Sequence, residues 1–138
     1  MKPQGMWMRR EAFVVFCIVI GFILFVAPEY KKFQIQQQRH HLKMALTELS
    51  KLEHQFYLEH YFYAQTLPEL GVSIPLYSED NGYLLSIVPR VEKHHDFILQ
   101  AIAQAENWTF DPKCKVVTLH HDGQWCAQGQ CSGECWND

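Results

Sequence analysis

Sixteen consecutive residues, Ala12 to Ala27, carry no charged or strongly polar side chain, and everything after Pro28 is mixed in character. A run of this kind belongs in lipid, in a stack of like helices, or in an export signal that is later removed. A free-standing membrane helix needs about 20 apolar residues. The run is short of that unless Trp7 and Met8 extend it while Arg9 and Arg10 snorkel to the interface. Lys2, Arg9 and Arg10 precede the run, so the positive-inside rule predicts a cytoplasmic N-terminus and an exported C-terminal part. Lys31 and Lys32 make that bias modest. The exit from the run reads "FVAPEY", with no small-x-small cleavage site, so a retained anchor is expected rather than a removed signal.

Glu11 sits directly against this run. An acid near a helix start is favoured by the helix dipole, and Arg9 or Arg10 is close enough in sequence to pair with it. A carboxylate in an apolar setting otherwise needs a positive partner from elsewhere, which makes Glu11 a candidate self-assembly site.

With 138 residues, the chain has room for the anchor and one small domain. The segment Glu29 to about Tyr63 lacks Gly and Pro and is rich in Leu, Gln, Glu and Lys, which predicts one long helix. Leu42, Leu49, Phe56 and Tyr63 recur every seven residues, with Ala45, Leu46 and Leu52 between them, forming an apolar stripe. The preceding stretch "KKFQIQQQRHH" is polar nearly all round, so residues 29–41 are expected to project or bridge and residues 42–63 to pack. Pro28 is expected to kink the helix. "TLPELGVSIP" ends the helical pattern, and "EDNG" at 79–82 is a turn signal. Tyr83–Pro89, Asp96–Ala103 and Cys114–His121 read as strands. Asp122-Gly123 cues a hairpin whose return strand begins at Trp125-Cys126.

After Pro28, fourteen acids face nine Lys and Arg, an acidic balance that gives no electrostatic footprint for nucleic acid. All eight histidines lie there, including the pairs His40-His41, His94-His95 and His120-His121. They read as surface residues, able to reverse the net charge near pH 5–6. No Gly-x-Ser-x-Gly, His-Glu-x-x-His, phosphate loop or dinucleotide fingerprint is present, so a non-enzymatic chain without cofactor is expected. Cys114, Cys126, Cys131 and Cys135 crowd the last twenty-five residues, beyond the anchor, and read as two disulfides of an oxidising compartment. Three pairings are possible. Zinc is the competitor, but the spacing lacks a Cys-x-x-Cys pair. Cys17 reads as a small apolar residue of the helix.

Taken in order, these features resemble the type IV pilins. Glu11 opens the apolar helix and Pro28 follows seventeen residues later, with Tyr30 in "APEY", as in that family's stem. "LTELSKLEHQFYLEHYFYAQTLPELG" (Leu46 to Gly71) is similar to the family's Tyr-rich stretch and its following Glu-Leu-Gly. "NGYLLSI" resembles its first strand, "DPKCKVVTLHHDGQWC" its cysteine-bearing hairpin, and "ECW" a common minor-pilin terminus. The resemblance runs from residue 11 to residue 136 and is nearest to the minor pilins of the type IVa class.

The resemblance implies an α+β pilin fold: a long N-terminal α-helix, membrane-embedded in its first half, packed on a small antiparallel sheet with a disulfide-closed C-terminal loop. The divisions are a leader-like cytoplasmic segment 1–11, a transmembrane and assembly helix 12–28, a helical stem 29–65, and a sheet and disulfide-rich region 66–138. It implies pairing of Cys114 with Cys135 and of Cys126 with Cys131. It implies assembly through Glu11 and Pro28, with other pilins, assembly-platform proteins and the inner membrane as partners, and prepilin peptidase as a possible processing enzyme. The processing site departs from the family. Prepilins are cut after a Gly five residues before the Glu; here that position is Met6, and Gly5 lies one step further away. Cleavage after Gly5 or Met6, or none at all, follows from that mismatch. A type II secretion pseudopilin and an uncleaved, signal-anchored periplasmic binding domain are the other expectations.

Overall fold

A computed structural model describes residues 4–79, 82–90, 95–104, 111–131 and 135, and for residues 4–8 the backbone alone. The turn residues Asp80 and Asn81, His94, and the terminal Glu134 and Trp136 lie outside the described residues. The elements are one long helix, α1 (Gln4–His60), and five strands, β1 (Leu76–Tyr77), β2 (Tyr83–Ile87), β3 (Ile98–Ala103), β4 (Val116–His120) and β5 (Trp125–Ala127). Short 3-10 turns at Leu67–Leu70 and Pro112–Cys114 link them. The chain forms two units, Met1–Gln34 and Ile35–Asp138.

In the first unit α1 continues on both sides of Pro28. Proline lacks the N–H that would donate one turn back, yet the flanking turns supply enough bonds for the helix to persist. In the second unit Leu42, Leu46 and Leu49 are buried, at the 4- and 3-residue spacing of one helix face. They share a core with the inner face of an antiparallel sheet in the order β1-β2-β3-β4-β5. The register lines up Ile87, Leu99, Leu119 and Trp125 in one cross-strand row. Leu85, Ala101, Val117 and Ala127 make the next. Alternation along each strand sends these side chains to the core and their neighbours outward.

The α+β architecture expected from the sequence is therefore present: a long N-terminal helix on an antiparallel sheet, with two disulfides near the C-terminus. Three boundaries differ. Packing starts before Leu42, since Ile35, Gln38, Arg39 and His41 are already partly covered. Arg39 Nε donates to Asp111 Oδ2 at 2.7 Å, and Asp111 Oδ1 accepts from the Lys113 N–H at 3.1 Å, so the polar stretch is tied to the turn before β4. The helix ends at His60 rather than near Tyr63, because Tyr61 adopts a left-handed conformation with φ 64°. This reversal returns Tyr63 to the core, stacked on Tyr57 with centroids 4.6 Å apart and edge-on to Phe97 at 4.9 Å. The third difference is β1, a two-residue edge strand too short to show a pattern in sequence.

At the β4–β5 hairpin the expected Asp122-Gly123 turn is present. Gly123 takes φ 82°, which suits glycine, and donates to the His120 carbonyl at 2.9 Å.

Candidate assembly surface

The first unit presents a helix whose apolar side chains have no cover. Every residue from Arg9 to Phe33 is exposed, Phe13 to 68%, Phe22 to 71% and Phe25 to 84%. The helix is long and apolar enough to cross a membrane, and none of its apolar window is buried. Exposed apolar surface on this scale is compatible with a membrane anchor. Cys17 is a free, exposed thiol on the same segment.

Glu11 lies seven residues beyond Gln4, almost two turns inside α1. In the uncut chain that places Glu11 beyond the first turn, where the dipole acts most strongly. Among the described residues no ion pair joins Glu11 to Arg9 or Arg10. Residues one and two apart project in different directions from a helix, which explains why adjacency in sequence does not produce contact. Pro28 lies on the same helix, and Gly5 and Met6 occupy its first turns, their side-chain surroundings outside the described residues.

The cysteines belong to the second unit. Cys114 pairs with Cys135 and Cys126 with Cys131, the pairing implied by the resemblance. Cys114 and Cys135 are 0% and 1% exposed and form part of the core. Cys126, on the sheet's outer face, is nonetheless buried, while Cys131 is exposed.

One residue of this unit escaped the sequence reading. Glu53 continues the Leu42, Leu46, Leu49 spacing and is fully buried, whereas the sequence stripe places Leu52 inward. Leu52 is instead 36% exposed. A carboxylate falling on the next 4-residue step of an apolar face was the available signal. Glu53 Oε2 accepts the Ala64 N–H at 3.0 Å, clamping the returning chain to the helix. Burial pushes Glu53 from the ordinary 4.5 up to about 7; the Ala64 N–H opposes this and the charge of Glu69 adds to it. Burial also raises the Tyr63 phenol, helped by Tyr57 and Glu53.

The raised carboxyl makes stability depend on pH. The folded state holds the Glu53 proton over a range in which the unfolded chain has released it. This contribution is complete below about 4.5, declines as pH rises, and is gone above about 7. Glu53→Gln mimics the protonated form. It is expected to exceed wild type in stability by about 2 kcal/mol near pH 7.5, after a discount for solvent screening, and to match it near pH 4.5. Paired denaturant titrations across that range check this, because the histidines common to both chains cancel in the difference. A difference that does not change with pH would rule out the protonated clamp.

No protein-family model matches the chain, and a search of curated proteins finds no match.

Proposed function

We propose that this chain is a non-catalytic, pilin-like subunit, held in the inner membrane by residues 12–28 with its disulfide-bonded domain in the periplasm. It contributes to type IV pilus assembly or function by packing its apolar helix against the helices of other pilins and assembly-platform proteins. The observation that carries this reading is the uncovered apolar helix bearing Glu11, a carboxylate without an ion-pair partner among the described residues of its own chain. The arrangement of the second unit supports it: an oxidised sheet domain, rigid enough to be displayed, on a helix suited to lateral docking. The resemblance from Glu11 through the cysteine-bearing hairpin adds the pilus.

The mature N-terminus tests the reading. Intact-mass and peptide mass spectrometry of the membrane-extracted chain reads the processing: a methylated N-terminus after Gly5 or Met6 supports assembly. In-cell crosslinking from single cysteines placed at positions 13–26, in a Cys17→Ser background, is expected to recover helix-to-helix products. An intact Met1 together with monomers alone would support the second reading, a fixed anchor carrying a periplasmic binding domain. That reading is favoured by one specific observation, the placement of Met6 where prepilins have glycine.

A further inference from the structure

After α1 the chain reverses through Tyr61, at φ 64°, and residues 61–66 reach the 3-10 turn at Leu67–Leu70 without entering a helix or strand. Two consecutive N–H groups of this segment donate to carboxylates instead of to backbone. Ala64 donates to Glu53 Oε2 at 3.0 Å, and Gln65 to Glu69 Oε2 at 2.9 Å. A third tie runs from the Arg90 N–H to Gln65 Oε1 at 3.0 Å. None of the strand pairings includes residues 61–66. Side chains, not a ladder, fasten the segment, and parts of a fold held in this way open at a lower free energy than the sheet.

Glu53 is the unusual member of the set. It is fully buried, and its Oε1 has no hydrogen-bond partner among the described residues. A neutral carboxyl tolerates such a place far better than a carboxylate, which needs further donors or water. Lifting the segment bonded to the same carboxyl brings water to Oε1 and leaves every strand paired.

We propose that Glu53 is a proton-operated latch: with its proton it holds Tyr61–Thr66 closed against α1, and loss of the proton opens that segment locally while the sheet stays folded. Burial sets the range of the response. The closed segment keeps the proton up to about 7, whereas the opened, hydrated one releases it near the ordinary 4.5. Opening therefore becomes easier as pH rises from about 4.5 and levels off above about 7. Glu69, from the 3-10 turn, adds a like charge that favours opening. Around the clamp stand the phenols of Tyr57 and Tyr63, and His54 edge-on to Tyr63 and Phe97. His60 lies against Phe62, His121 against Phe97, and Arg90 is paired with Asp96. Histidines change charge over the same pH range, so His54 and His60 are the groups that the experiment separates from Glu53.

The test is amide hydrogen exchange of the full chain in detergent micelles, read by mass spectrometry at pH 5 and pH 7.5 and normalised for intrinsic exchange. Protection of the peptide covering residues 61–66 is expected to fall about thirtyfold between the two, after a discount for solvent screening, while β3 and β4 keep theirs. Glu53→Gln is expected to hold the segment equally well at both pH values. The double variant His54→Gln, His60→Gln is expected to respond as wild type does. Equal wild-type protection at both pH values, a parallel loss across β3 and β4, an unchanged response in a folded Glu53→Gln, or a lost response in the double histidine variant each overturns the proposal. The wild-type profile decides the matter even where Glu53→Gln fails to fold. None of these outcomes bears on the helix-packing reading, which the crosslinking test addresses separately.

Discussion

Glu11→Ala is expected to lower fibre number and surface-pilus motility at least tenfold while leaving the second unit folded. Arg9 and Arg10 flank Glu11 without forming an ion pair with it in the structure, so its counter-charge is expected to come from another molecule. In a bundle of docked helices that counter-charge is a neighbour's terminal amine if the leader is removed, or a neighbour's Arg9 or Arg10 if it is retained. A polar contact inside a membrane bundle contributes roughly 1–2 kcal/mol, or about 5- to 30-fold for each docking step. Growth requires many such steps, so modest losses compound. Glu11→Gln keeps hydrogen bonding and loses charge; an intermediate phenotype is expected. Electron-microscopic fibre counts and twitching assays read the outcome, with immunoblots to confirm that the chain accumulates normally. Wild-type fibres and motility in Glu11→Ala would remove the proposed role of the acid.

The largest effect on stability is expected from Cys114→Ser. The Cys114–Cys135 bridge spans 21 residues of sequence. Closing a loop of that size contributes about 3 kcal/mol by the chain-entropy estimate. The substitution also leaves a hydroxyl at a fully buried position and a loose thiol at Cys135. A melting temperature lower by roughly 15 °C or more is expected for a domain of this size. Cys126→Ser is the internal comparison. Its bridge spans 5 residues, so about 2 kcal/mol is expected, and its partner sulfur lies at the surface. Thermal melts followed by circular dichroism under non-reducing conditions rank the two. If Cys126→Ser proves the more damaging, the core position of the longer bridge is not what stabilises the sheet.

Much of this architecture was legible in advance because it rests on periodicity. The Leu42–Leu49 stripe, the alternation in "YLLSI" and "VVTLH", and the Asp122-Gly123 turn each express a local rule that the packed structure obeys. What escaped had a tertiary cause. The sequence pattern continues the helix to Tyr63 because no residue there breaks helices. The reversal at Tyr61 is imposed by what it achieves: aromatic packing of Tyr63 and the Glu53 clamp on Ala64. Glu53 itself is hard to read from sequence, because a carboxylate on an apolar stripe looks like a solvent residue until its partner is known. Arg39 falls in a stretch whose local pattern predicts projection for a similar reason, since Asp111 lies 72 residues away and no local pattern links them. Glu11 stands out in the sequence by its neighbours' character alone, and the structure adds the absence of an ion pair to Arg9 or Arg10.

The sheet's strand order is its chain order, and each strand pairs with the one made just before it. Such a meander needs only short-range loop closures, which favours rapid folding. The helix is different: its buried leucines precede β3 by some fifty residues. During synthesis from the N-terminus, Leu42, Leu46 and Leu49 emerge well before the strands that shelter them. That interval is when the nascent chain is most prone to aggregate.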